Sequence, residues 1–218
     1  MAPPSLLRVY RLLRRAHGHA GWWPATTAFE VCVGAILTQN TAWSNVEKAL
    51  AVLRGRRLLS HSKLRRVPLP RLALLIRSSG VFRVKARRLR AFLDFLEAEY
   101  GGRARRMRKE EPLVLRRKLL AVHGIGPETA DSIALYAAGQ PLFVVDAYTR
   151  RIFTRLGVLK GSESYDEIQG VFMEALPREA ALYNDYHAQV VRLAKDACRV
   201  RPRCAVCPLT GVCPKRGV

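Results

Sequence analysis

Apolar residues return at helical spacing through most of the chain. Leu89, Phe92, Leu93, Leu96 and Tyr100 follow the i, i+3, i+4, i+7 rule, so this segment predicts a helix with one face in a core. Three Ser/Thr-x-x-Glu pairs stand before or within such runs: Thr27 with Glu30, Ser44 with Glu47, and Ser164 with Glu167. Each predicts a capping box, in which hydroxyl and carboxylate satisfy N–H groups of a first helical turn reciprocally. Gly80, Gly139 and Gly157 close periodic runs where a residue just past a helix would sit. No segment sustains the period-two alternation of strands between hairpin turns. The pattern predicts an all-α protein of one or two compact lobes. Arg103 to Pro112, rich in Arg and Lys, reads as an exposed connection.

Charge adds a partner to this picture. The 218 residues carry 38 Lys and Arg against 17 Asp and Glu, a formal net charge of +21. Such a field attracts phosphates without reading bases, and a polyanion is the partner it implies. No apolar stretch reaches the roughly 20 residues of a spanning helix, so no membrane partner is expected. The amino-terminal Ser5 to Arg14 segment interleaves Arg with apolar residues and reads as an amphipathic helix rather than an export signal. A cytoplasmic, nucleoid-associated monomer is the expectation.

Three constellations carry candidate chemistry. Four of the five cysteines form Cys198-x5-Cys204-x2-Cys207-x5-Cys213. Thiols this close suit an iron–sulfur cluster or a structural zinc, and a disulfide pair would need an oxidising compartment. Cys32, within an apolar run, reads as a small buried hydrophobe. The second constellation is Leu120-Ala-Val-His-Gly-Ile-Gly-Pro-Glu-Thr-Ala130, a turn with two glycines between apolar helices. Glycine permits close backbone approach, Pro starts a helix with neighbouring N–H groups free, and together they make a candidate phosphate cradle. A plain connection between helices is the other reading. The third is Phe143-Val-Val-Asp-Ala-Tyr-Thr-Arg-Arg151, whose Asp146 is either an N-cap or a carboxylate for general-base work and charge stabilisation.

The order of these motifs, Gly-x-Gly, then Val-Asp-x-x-x-x-Arg, then a four-Cys loop, resembles the endonuclease III group of helix–hairpin–helix DNA glycosylases over nearly the whole chain. The resemblance implies a two-lobed fold: a six-helix lobe at 27–141 bearing the hairpin, and a second lobe from 1–26 and 142–218 bearing the cysteines. It implies that Asp146 is catalytic and that Cys198, Cys204, Cys207 and Cys213 hold a [4Fe–4S] cluster. The first Cys interval is one residue shorter than the family's usual pattern. His123, Gly124, Ile125 and Gly126 match the DNA-binding hairpin, Gln39 matches the residue that fills the space left by a flipped base, and Val81 matches an apolar wedge on the opposite strand.

One departure bears on the reaction. Members that also cut the backbone carry a lysine where this chain has Glu128, and a carboxylate cannot form the Schiff base that an amine forms with an abasic sugar. Lys195, on the helix with Tyr186 and His187 that leads into the Cys loop, is the candidate accessory amine. His187 itself reads as structural. Trp22-Trp23-Pro24 and Trp43, together with Glu128, resemble the base pocket of the 3-methyladenine glycosylase branch, and aromatic rings suit a purine made cationic by alkylation. The expectation is therefore a monofunctional glycosylase that releases alkylated purines from damaged double-stranded DNA. The alternatives are a glycosylase for oxidised pyrimidines or mismatched bases, and a non-catalytic DNA-binding or redox-sensing iron–sulfur protein.

Overall fold

The computed structural model describes residues 3–20 and 25–218, and no strand occurs among them. Helices α1 (Leu6–His17), α2 (Ala28–Thr38), α3 (Trp43–Gly55), α4 (His61–Arg65), α5 (Leu69–Leu75), α6 (Phe82–Tyr100) and α7 (Pro112–Leu120) come first. They are followed by α8 (Pro127–Ser132), α9 (Ala147–Arg155), α10 (Tyr165–Ala175) and α11 (Ala180–Asp196). None of these helices is long and apolar enough to cross a membrane. Contacts divide the chain into two units, one of Met1–Trp22 with Pro141–Val218 and one of Trp23–Gln140.

The larger unit is built around α2. Every residue from Phe29 to Leu37 is buried, so this helix is enclosed on all sides and has no polar face. Thr27 caps it by accepting the Glu30 N–H, while the Glu30 carboxylate accepts from the Thr26 hydroxyl at 2.8 Å and pairs with Arg54. Cys32 is fully buried there, as expected of a small hydrophobe. On α6 the predicted face of Leu89, Phe92, Leu93, Leu96 and Tyr100 is buried. A π-helical turn, Ile133–Ala137, prolongs α8 and packs on α2.

The other unit packs α1 and α9 against α11. Its core is aromatic: Phe143 stacks on Phe172 at 4.1 Å between centroids, and Phe153 meets Phe172 edge-on at 4.7 Å. Tyr186 is buried in the same cluster, with its hydroxyl donating to the Leu6 carbonyl at 2.8 Å. The amphipathic reading of the amino-terminal segment holds, with Leu6, Val9 and Leu13 buried and α1 tied to α11 through Tyr10 and Arg14, both donating to Asp185.

Two local expectations are corrected. Ser44 caps nothing: α3 begins one residue earlier, after Ala42, and the Glu47 carboxylate accepts instead from the Trp43 indole N–H at 2.9 Å. The basic stretch after Arg103 is not a bare connection either. It folds as a 3₁₀ helix, Ala104–Lys109, because Ala104 and Met107 anchor it in the core while its Arg side chains stay in solvent. The Ser164–Glu167 capping box is present with both of its bonds.

Candidate active site

In the larger unit, three turns converge through side chains of α6. The Gln39 amide, just past α2, donates to the Gly124 carbonyl at 2.9 Å and to the Thr129 hydroxyl at 3.0 Å, and its oxygen accepts from Arg88 at 2.6 Å. One α6 turn earlier, the fully buried Lys85 amine donates to the Leu37 carbonyl at 2.7 Å and to the Ser79 carbonyl at 2.5 Å. Burial, aided by the Arg88 charge, brings the Lys85 amine down to about 8. Val81 starts α6 with φ of 24°, a conformation that disfavours a β-branched residue, and 61% of its surface is exposed. A strained apolar side chain is thus held outward at the start of α6.

The hairpin joins α7 to α8. Gly124 has φ of 79°, and a Cβ there would run into the Arg88 side chain, so both backbone and space require glycine. Gly126 is different: its φ is −93° and the space around it is open. Ile125 is buried and anchors the turn, whereas His123, Gly126 and Glu128 are exposed. No side chain caps the start of α8, which leaves its first turn open to an outside acceptor. Beneath it, the buried Asp131 accepts from Arg116 on α7 at 2.9 Å, clamping the two hairpin helices together. Trp43 is half-buried, with its ring fixed by the bond to Glu47.

In the other unit, Asp146 is the N-cap of α9. One carboxylate oxygen accepts the Thr149 N–H at 2.7 Å and the Thr149 hydroxyl at 2.9 Å; the other lies 3.5 Å from His187 Nε2 of α11. The Asp146 side chain is 13% exposed. Burial pushes its carboxyl upward, but the bond and charge of His187 together with the Thr149 donors outweigh that and hold it below the usual carboxylate range. Asp146 therefore combines capping with a retained negative charge. The sequence left His187 as a structural residue, and the pairing across 41 positions has no local signal. Lys195 is exposed and eight residues beyond His187 on α11, about 12 Å further along the helix axis.

The opposite end of α9 organises the cysteine loop. Arg155 donates to Cys198 Sγ at 3.4 Å and to the carbonyls of Arg199 and Val200, and Arg151 donates to the Cys198 carbonyl at 3.0 Å. Cys198, Cys204, Cys207 and Cys213 all line one cavity, together with Arg155. Among the described residues, no three His, Cys, Asp or Glu side chains close on a position for a single ion. Four thiols around a common cavity, one beside a guanidinium, are a donor set that fits an anionic cluster. Burial pushes the Cys207 and Cys213 thiols up, with their cysteine neighbours adding to the rise, so any metal must displace protons to bind. The expected pocket residues Trp22, Trp23 and Pro24 lie outside the described residues.

Known proteins resemble this chain in sequence and fold. The Methanocaldococcus jannaschii protein named "Putative DNA repair glycosylase" is 44% identical over 195 residues, covering 89% of each chain. The crystal structure of the H. pylori 3-methyladenine DNA glycosylase bound to 1,N6-ethenoadenine superposes with a TM-score of 0.76 and 26% identity, covering 88% of this chain and 98% of that one. A trapped endonuclease III–DNA covalent intermediate superposes with a TM-score of 0.82 at 24% identity over 96% and 94% of the two chains, a likeness of fold. The profile described as HhH-GPD superfamily base excision DNA repair protein matches residues 33–178. With its helical hairpin at 120–130 and this extent of similarity, the chain belongs to the HhH-GPD superfamily of base excision DNA repair proteins.

Proposed function

We propose that this protein is a DNA N-glycosylase that flips out alkylated purines and releases them by hydrolysis, without cutting the backbone. The observation that carries the reading is Asp146: a carboxylate kept as an anion, with one oxygen spent on the helix cap and the other beside His187. Such an anion stabilises the positive charge that grows on the sugar as the C1′–N bond breaks, and it takes a proton from the water that attacks C1′. The electron pair of the broken bond goes to the base, which in a purine already cationic by alkylation leaves as a neutral molecule. No general acid is then needed for the leaving group.

The alkylpurine assignment draws on Trp43, whose fixed ring offers a stacking face for a cationic base, and on the likeness to a glycosylase for 3-methyladenine. Glu128 in the hairpin, where an amine would be needed for a Schiff base, supports hydrolysis alone, and the distance of Lys195 along α11 from His187 points the same way. Gln39, Val81, Gly124 and the open start of α8 are proposed to engage the duplex. The four cysteines are proposed to hold a [4Fe–4S] cluster that ties the loop to α9; protein purified anaerobically should contain about four irons per chain, and stoichiometric zinc after iron reconstitution would overturn this. Duplexes each carrying one damaged base, scored separately for base release and strand cleavage, test the function. Release of 3-methyladenine or 7-methylguanine is expected, whereas release confined to oxidised pyrimidines or mismatched bases would favour the endonuclease III-like alternative.

A further inference from the structure

Two concavities of similar size lie on the larger unit, and their chemistry differs. One, of about 430 Å³, holds Arg65, Arg90, Asp94 and Glu97. Most of its charges are spent internally: Arg65 pairs with Asp94 at 3.0 Å, His61 faces Glu97 at 3.4 Å, and Arg90 donates to the carbonyls of Arg65 and Val67, so that of its basic side chains Arg66 is the one left over among the described residues. The other, of about 450 Å³, is framed by Lys48, Arg56, Arg71 and Arg77 over the apolar side chains of Val52 and Leu74. No acidic residue lines it, and none of its four cations is paired with a carboxylate among the described residues. Leu74 is 66% and Val52 41% exposed, so the floor is apolar and open to solvent. Unneutralised cations beside an apolar floor match a chain of phosphates joined by sugars better than an isolated anion.

Its position in the unit says which phosphates. The groove includes Ser78, whose hydroxyl donates to the Asn45 carbonyl at 3.0 Å, and this residue lies three positions before Val81. From there the bonded contacts run through Ser79 and Lys85 to Leu37, then along the chain to Gln39 and across to Gly124 of the hairpin. The Val81 and Gln39 turns are therefore linked to both the hairpin and the groove through these contacts. We infer that the Lys48–Arg56–Arg71–Arg77 groove binds the phosphodiester backbone of the DNA strand opposite the flipped base, while the hairpin holds the strand that carries it. This rests on the proposed duplex engagement of Gln39, Val81 and the hairpin.

The test compares Arg56→Gln/Arg71→Gln with wild type for affinity against salt, using a duplex with a central tetrahydrofuran abasic analogue. Arg103→Gln/Arg105→Gln, two exposed arginines at the start of the 3₁₀ helix, the first its N-cap and the second within it, controls for the same loss of net charge. If each groove arginine neutralises one phosphate, the log–log salt slope falls by about 2, which narrows the loss of affinity between about 50 and about 200 mM salt roughly tenfold. The control pair should change the slope by less than half as much. On a duplex whose opposite strand ends at the position facing the analogue, the groove variant should match wild type; on one with the lesion strand shortened instead, the difference should persist. An unchanged slope, a change equalled by the control, or one that survives loss of the opposite strand would overturn the inference. Failure of the glycosylase reading would appear separately, as no base release from any lesion, and these binding titrations do not depend on release.

Discussion

At Pro127 a helix opens with no side-chain cap, whereas at Ala147 the carboxylate of Asp146 caps the first turn. The first follows the hairpin turn and the second a stretch without turns, and both have the orphan N–H groups and positive dipole end common to helix N-termini. The difference lies in where the negative charge comes from. At the hairpin no side chain caps the helix start, and the carboxylate of its first turn, Glu128, is exposed; this start is proposed to take a phosphate from outside. At α9 the anion is part of the protein, with one oxygen fixed by the Thr149 N–H and hydroxyl and the other facing His187. One helix start is proposed to bind and the other to react.

The largest expected effect breaks the second half of that comparison. Asp146→Asn keeps a good capping side chain but loses the charge, so duplex affinity should hold and the melting temperature should fall only by the small contribution of the ionised carboxylate, while single-turnover base release falls by about 10²- to 10⁴-fold. Asp146→Ala should in addition cost about 1 kcal/mol of stability, read by thermal unfolding, because the cap is lost as well. Parallel loss of stability and activity in the Asn variant would reduce Asp146 to a structural cap.

The next effect breaks the first half. Gly124→Val meets both a positive φ and the Arg88 side chain, a strain of about 1–3 kcal/mol, and should weaken binding to all duplexes by about tenfold or more. Gly126→Val, with open space and extended backbone, should stay within a few-fold of wild type in the same titration. Equal losses would mean that the turn acts through Gly126 side-chain clearance toward DNA rather than through the geometry at Gly124.

The smallest effect sharpens the comparison through pH. Because the Asp146 carboxyl is held below its ordinary value of about 3.9, its contribution to stability is present above that value and is lost as pH falls through the lower folded one. Wild type should therefore lose any stability advantage over Asp146→Asn as melting is followed from about pH 5 downward. An advantage that grows with acidity would contradict the assigned charge state.

Much of this architecture was legible in the chain. The α6 face, the Ser164 box, the clustered cysteines and the order of motifs all follow from local spacing, and local spacing is what a sequence displays. What stayed hidden depends on distant partners. Glu47 looked like a cap until the Trp43 indole was found to claim it. Lys85 carries no hint of full burial, since lysines are rarely enclosed, and only the two carbonyls from separate turns explain it. Gly124 and Gly126 read alike in sequence, and they separate only once Arg88 is seen beside one of them. His187 lies 41 residues from Asp146, and nothing in its own helix marks the pairing.

The central claim, hydrolytic release of an alkylated purine with no amine at the hairpin, is tested most directly by incubating the wild-type protein with a 3-methyladenine duplex in the presence and absence of borohydride. The expected products are free base and an abasic site left intact until heat or alkali is applied, with no covalent protein–DNA product. An efficient borohydride-dependent cross-link would contradict it, because that product requires the Schiff base that Glu128 cannot form.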